Sequence, residues 1–217
     1  MAEPNLQEIH DFLITLAAKA GEMITSAHPS MSNTDTKKNS SDLVTETDQA
    51  VEHMVSTSLK SAYPTYDFLG EETYTPGSSH LTPSPTFIVD PIDGTTNFVH
   101  SHPYLSISLA FVHHLTPLVG IVYNPFTHHL YSAIASHGAY LTTDFARGPL
   151  SRRSRLPLRQ PPPPLTSLSE ALVAVEWGNE RSGHNWRVKT RTFEALAGGR
   201  TRAAPWCIRC GVWGPRR

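Results

Sequence analysis

The chain has 217 residues, 39% of them hydrophobic and 17% charged, with 18 prolines and 13 glycines, which predicts a loop-rich globular protein of one large domain or two small ones. It is long enough to fold without disulfide staples; its two cysteines cannot build a secreted-type framework, no apolar run reaches the ~18 residues of a membrane span, and no secretory leader opens it, so a cytoplasmic location is expected. The net charge of −1 hides 4 basic and 15 acidic side chains in residues 1–145 against 14 and 4 in residues 146–217; an acidic body of this kind argues against nucleic acid and for a metal.

Pro4 stands where a first helical residue would, and Leu6, Ile9, Leu13, Leu16, Ala20 and Met23 recur at the three- and four-residue gaps of one helix face, ending near His28-Pro29. Residues 29–41 are polar and read as a loop, Leu43-Val44-Thr45 as a short strand, and Val51 to Leu59 as a second helix stopped before Pro64. From there the period is two. Strands are expected at Phe68-Leu69, Phe87-Ile88-Val89, Leu105 to Phe111, Leu118 to Tyr123 and Leu130 to Ala135, the last two joined across Asn124-Pro125 in a β-meander. The Arg- and Pro-rich stretch 142–168 reads as a long surface loop, with Pro161 to Pro164 as polyproline II that could interest an SH3-type groove. Leu172 to Glu176 then suits a strand and Asn185 to Ala197 a helix, with Trp177 and Trp186 flanking the link as core residues. Two helices, an antiparallel run of strands, then strand and helix argue for a layered α+β domain.

The chemistry gathers in Asp90-Pro91-Ile92-Asp93-Gly94-Thr95-Thr96-Asn97-Phe98, where an apolar strand runs into two carboxylates three residues apart. Carboxylates at the end of a buried strand are costly unless a cation compensates them. Gly94 lets the backbone approach a ligand, and Thr95 can open a short helix whose first amides face an anion. Gly70-Glu71-Glu72 ends another short strand with two acids, and Asp42 and Asp48 flank the earlier one. Hard oxygens without neighbouring Cys or His suit Mg²⁺ or Mn²⁺ rather than zinc. Each feature also has a plainer reading: Asp90 and Asp93 as an Asx-turn or cap, Glu71-Glu72 as solvated surface, Asp48 as the N-cap of the second helix. The pairs His100/His102, His113/His114 and His128/His129 invite a zinc reading, but adjacent residues on a strand point to opposite faces, so hairpin surface positions are expected.

Taken together, Gly70-Glu71-Glu72 and Asp90 to Phe98 closely resemble the two metal-binding signatures of inositol monophosphatases. Asp42 to Thr45 with Thr47-Asp48, and the stretch from His100-Ser101-His102-Pro103-Tyr104 to Gly138-Ala139-Tyr140, are similar too, and the resemblance runs from the first helix to about Ala197. Relatives acting on 3′-phosphoadenosine nucleotides, histidinol phosphate or fructose bisphosphate share the Asp-Pro-Ile/Leu-Asp-Gly core, whereas Thr96 to His100 favours the inositol branch. The resemblance implies a layered αβαβα sugar-phosphatase fold with a large mixed or antiparallel sheet in its N-terminal part. It also implies a usually dimeric, lithium-sensitive, Mg²⁺-dependent phosphatase acting on a small phosphorylated polyol. In that scheme Glu71, Asp90 and the Ile92 carbonyl bind one ion, Asp90 and Asp93 a second, and Glu71 helps hold a third. Asp93 and the amides of Gly94 and Thr95 face the phosphate, Lys37 stands on a loop near the metals, and Thr95, supported by Asp48 and Glu71, orients the attacking water. Residues 1–141 are thus expected to form a metal- and phosphate-binding α+β region, 142–168 a loop, 169–198 the start of an incomplete C-terminal αβ region, and 199–217 an aberrant basic tail.

The family pattern continues into a further strand, helices and a Trp-Asp motif that completes the second metal site, and these have no counterpart after Ala197. The tail holds five Arg and no acid from Arg200 onward, and a single Cys207-x-x-Cys210 that makes a weak zinc or redox signal. Read from the last base of the Pro205 codon, the degenerate codons permit Met-Val-His-Ser-Leu-Arg-Ser/Cys-Leu-Gly-Ser-Ala-Ala, which resembles the family's next segment. The expectation is a departure from the ancestral frame between about Gly199 and Pro205. A catalytically impaired metal- and phosphate-binding fragment and an interaction module built on the 147–164 segment are the competing readings.

Overall fold

In the computed structural model, residues 3–27, 34–36, 43–75, 77–168, 171–175 and 180–197 are described. Lys37, Asp42, Glu176, Trp177, Cys207, Cys210 and the junction proposed for a frame change lie outside them. The chain divides into two compact units, Met1–Leu158 and Arg159–Arg217.

The first unit opens with α1 (Leu6–Ser26), whose N-cap is Asn5: its side chain accepts the Glu8 N–H at 3.3 Å. Pro4 therefore precedes the helix rather than starting it, because an Asn side chain can satisfy a first-turn amide. Strands β1 (Thr34–Thr36) and β2 (Leu43–Thr45) pair antiparallel, so the expected loop over 29–41 contains a strand. The chain then enters α2 (Glu46–Ala62) directly.

A seven-stranded mixed sheet follows, in the order β3 (Asp67–Gly70), β4 (Thr86–Asp93), β5 (Ser106–His113), β6 (Thr116–Asn124), β7 (His129–Ile134), β8 (Gly138–Thr143) and β9 (Arg152–Arg155). Only β3 and β4 run parallel; from β4 onward each strand is antiparallel to the next, extending the meander expected for two of them. Two short 3-10 turns kinked at Gly148 (Phe145–Leu150) and β9 occupy the start of what read as a loop over 142–168. Four exposed residues with three arginines carry no apolar period, yet β9 still satisfies its backbone against β8, and charged side chains suit an edge strand.

α1 packs on β5, β6 and β7, and α2 on β4 and β3, so one face of the sheet buries Phe87, Val89, Ile107, Leu109, Phe111, Ile121 and Leu130 against the two helices. At its edge Tyr63, Tyr66, Phe87 and Phe111 form an aromatic cluster with centroids 5.2–5.9 Å apart.

In the second unit, α4 (Gly183–Ala197) forms where a helix was expected over Asn185 to Ala197 but buries no residue, and Trp186 is 40% exposed rather than core. Residues 171–175 make an isolated bridge at Val173 and no strand, since a strand needs a continuous partner. No helix among the described residues is long and apolar enough to cross a membrane.

Candidate active site

β3 ends at Gly70, in register with Val89 of β4, so the parallel pairing stops one residue before Asp90, and ligands favour the crevice beyond the carboxyl end of such a pairing. Each chain delivers its acids at that point. The Glu71 N–H donates to the Val89 carbonyl at 3.0 Å, setting Glu71 beside Asp90. β4 runs on through Asp90-Pro91-Ile92-Asp93 where a turn was expected; a register shift against β5 between Asp90 and Asp93 accommodates the proline, which has no N–H for the ladder. Pro91 and Ile92 are buried, Asp93 exposed.

Gly94 then turns the chain with φ +106° into α3 (Thr95–Val99), and the space a Cβ would take there is bounded by the Tyr104 carbonyl and Leu105 Cβ, both 3.3 Å away. The Asn97 amide donates to that carbonyl at 2.6 Å, tying the 97–104 loop across the turn. At this junction the Thr95 hydroxyl lies 3.0 Å from Asp48 Oδ1 and 3.1 Å from the Ile92 carbonyl, with one proton to share between them.

Asp48 reaches the site from α2. The plainer N-cap reading of Asp48 does not hold: Thr45 caps the helix, and Asp48, three residues on, closes a capping box by accepting the Thr45 N–H at 2.9 Å and the Thr45 hydroxyl on Oδ2. Oδ1 is thereby left to face Thr95. Asp48 is only 1% exposed, and burial pushes its carboxyl up while the hydrogen bonds from Thr45 and Thr95 pull it down.

Asp90 is the most perturbed group. Loss of solvent raises it first, then the charge of Glu71 and a hydrogen bond shared with it, then Asp93 and Asp48, to about 8. Its Oδ1 is buried without a hydrogen-bond partner. Such an atom, amid carboxylates from three elements, calls for positive charge.

A divalent cation fits this donor set by charge and by element: Glu71, Asp90, Asp93 and the Ile92 carbonyl are all hard oxygens. As the side chains lie, no three His, Cys, Asp or Glu residues among those described are grouped to hold an ion, and Glu71 and Asp90 bond to each other. The histidines add no ligand group among the described residues: His114 and His128 have positive φ in the turns between β5 and β6 and between β6 and β7, and because His114 has left the strand its ring stacks on His113 at 4.0 Å rather than pointing to the opposite face.

The model of the inositol monophosphatase family matches residues 5–207. The chain belongs to that family. Inositol monophosphatase 1 of Bos taurus is 45% identical over 197 residues, 90% of this chain and 66% of the bovine protein. Among solved structures, an IMPase from Thermotoga maritima superposes with a TM-score of 0.55 at 32% identity, over 60% of this chain and 50% of that one. An IMPase/NADP phosphatase complexed with Mg²⁺ and phosphate gives 0.54 at 27%, over 64% and 52%. The chain spans 54–66% of the length of the curated relatives it matches at this level.

The sequence reading missed Glu52. This carboxylate, 2% exposed, accepts the Glu72 N–H at 2.7 Å and the Thr73 N–H at 3.0 Å, and a Cβ on Gly70 would overlap its carboxyl carbon. A signal existed: Asp48, Val51, Glu52, Val55 and Leu59 share one helix stripe, so Glu52 is a charge at a buried position.

Proposed function

We propose that this inositol monophosphatase family chain hydrolyses phosphate monoesters of small polyols, myo-inositol monophosphates first among them, using Mg²⁺. The observation that carries the reading is the buried, unpartnered Asp90 Oδ1 amid Glu71, Asp93 and Asp48 at the ends of the parallel strands. The relative complexed with Mg²⁺ and phosphate supports the choice of ion and substrate class.

Glu71, Asp90, Asp93 and the Ile92 carbonyl would hold two or three ions, with Mn²⁺ able to replace Mg²⁺. When bound, such ions neutralise the phosphate dianion and acidify water. Thr95 and Asp48 supply what the metal does not. With its proton given to Asp48 Oδ1, the Thr95 hydroxyl presents lone pairs that accept a hydrogen from an incoming water and aim its oxygen. Burial makes Asp48 the better acceptor for a proton relayed through Thr95, and the capping box keeps that carboxylate from swinging away. The positive φ at Gly94 presents the first amides of α3 to the phosphate beside Asp93. Lys37, outside the described residues, keeps the role the resemblance gives it near the metals. Cytoplasmic residence and a family-type homodimer accompany the proposal.

The test is phosphate release from myo-inositol 1-phosphate by the full 217-residue chain, titrated with Mg²⁺, with 3′-phosphoadenosine and histidinol phosphate alongside. Activity that requires Mg²⁺ and falls at least about 100-fold in Asp90→Asn and Thr95→Ala supports the mechanism, by analogy with the loss of other transition-state groups. A folded chain that binds Mg²⁺ but releases no phosphate from any of them overturns it and favours the impaired fragment.

A further inference from the structure

We propose that Glu52 of α2 is a positioning residue for the cation site: its buried carboxylate pins the backbone that carries Glu71. The inference rests on the Mg²⁺-dependent reading above and adds a residue to it. Three successive amides around Glu71 are anchored. Its own N–H binds the Val89 carbonyl on β4 at 3.0 Å, and the next two, of Glu72 and Thr73, bind the two oxygens of Glu52 at 2.7 and 3.0 Å. Glu71 is therefore held between β4 on one side and α2 on the other.

The arrangement needs each of its parts. A carboxylate can enter this interior only where donors meet both oxygens, and two backbone N–H groups do so without bringing in a cationic side chain that would compete with a metal. Gly70 is the residue that permits the approach, because any Cβ there would occupy the place of the Glu52 carboxyl carbon. The purpose follows from repulsion. A cation needs both Glu71 and Asp90 ionised, and two adjacent negative charges repel, so a loop free to move would then carry Glu71 away from Asp90. Clamping the amides of residues 71–73 fixes the Glu71 Cα against Asp90, which preorganises the pair for a cation. Outer groups of this kind are generally worth about 10–100-fold in metal affinity.

Glu52→Gln tests it, since the amide keeps the shape but turns an NH₂ toward one of the two N–H donors and releases it. Mg²⁺ titrated into the full chain by calorimetry should bind about 10-fold or more weakly to the variant. Phosphate release should need correspondingly more Mg²⁺ yet return to within a few-fold of the wild-type kcat at saturating Mg²⁺. Unchanged Mg²⁺ affinity in a folded Glu52→Gln chain overturns the inference and leaves the phosphatase reading intact. A wild-type chain that takes up no Mg²⁺ and releases no phosphate overturns that reading, and this inference with it. Should Glu52→Gln fail to fold, amide hydrogen exchange in the wild-type chain decides: the Glu72 and Thr73 amides must be protected, and exchange of both at the rate of an unstructured loop overturns the clamp.

Discussion

Helices α1 and α4 are both amphipathic and end in opposite circumstances. α1 lays eight buried residues, among them Ile9 at 1%, Leu13 at 0% and Ile24 at 0% exposure, on the antiparallel strands of the sheet. α4 carries apolar residues at Trp186, Phe193 and Leu196 on one side and Val188 on the other, and none of its residues is buried. Periodicity thus announces a helix and the face it offers, but burial is supplied by whatever that face meets. The first unit provides α1 with a sheet. Among the described residues of the second unit, α4 meets no surface that buries any of its side chains.

The largest effect should come from breaking the first unit where its helices, strands and rings converge. Phe111 is fully buried, with Phe87 at 5.2 Å and Tyr66 at 5.6 Å between ring centroids. Phe111→Ala should cost about 3–5 kcal/mol, measured as a lower urea midpoint, because it removes the transfer gain and leaves a cavity the rigid sheet cannot close. Trp186→Ala, in a side chain 40% exposed, should change the same midpoint little. Equal losses from the two would mean that both units share one core.

How much of this could be read from the chain follows the same division. The strands β4 to β7 and helices α1 and α2 were legible because their periods are set by burial on one face. The Glu71, Asp90, Asp93 and Thr95 positions were legible through a resemblance, since each lies in a short stretch that folds locally. β9 was hidden because an edge strand of arginines buries nothing; the buried stripe of α2 marks Glu52 as a misplaced charge, but its partners, Glu72 and Thr73, are about twenty residues away and nothing in the sequence points to them. The capping role of Thr45 was masked by Asp48, which looks like a cap in isolation and is its reciprocal partner in the box. Burial leaves a periodic trace in sequence; a long-range hydrogen bond to a backbone amide leaves none.

The acid cluster gives the next effect, which divides the units by pH. In the folded chain Asp90 holds its proton up to about pH 8, whereas in the unfolded chain it loses it near 3.8. Between those values the native state binds the extra proton, so stability should fall as pH rises through this window, with a slope of at most about 1.4 kcal/mol per pH unit. Thermal melts in EDTA should show that fall, Asp90→Asn should flatten it, and Mg²⁺ should offset it near pH 8 by compensating the charge directly. Melts indifferent to Asp90→Asn would show that the cluster is better hydrated than its geometry indicates. A smaller step on the same side of the molecule is Thr45→Val, which keeps the branched shape but removes the capping hydroxyl. About 1 kcal/mol of stability should be lost in urea, with a drop in phosphate release as Asp48 Oδ2 loses one of the two bonds it accepts from Thr45.

The smallest effect carries the sharpest sign. At Leu13 of α1, truncation to alanine removes a fully buried side chain and should cost about 2–5 kcal/mol, although alanine is the better helix former. At Val188 of α4, 48% exposed, little burial is lost, while the release from a β-branched side chain favours the helix by about 0.5 kcal/mol. Val188→Ala should therefore leave the urea midpoint unchanged and slow amide exchange slightly within α4, the opposite direction from Leu13→Ala. A loss above about 1 kcal/mol at Val188 would exceed what an exposed position allows. It would mean that α4 finds a covering surface in solution, and the contrast between the two helices would then be one of degree.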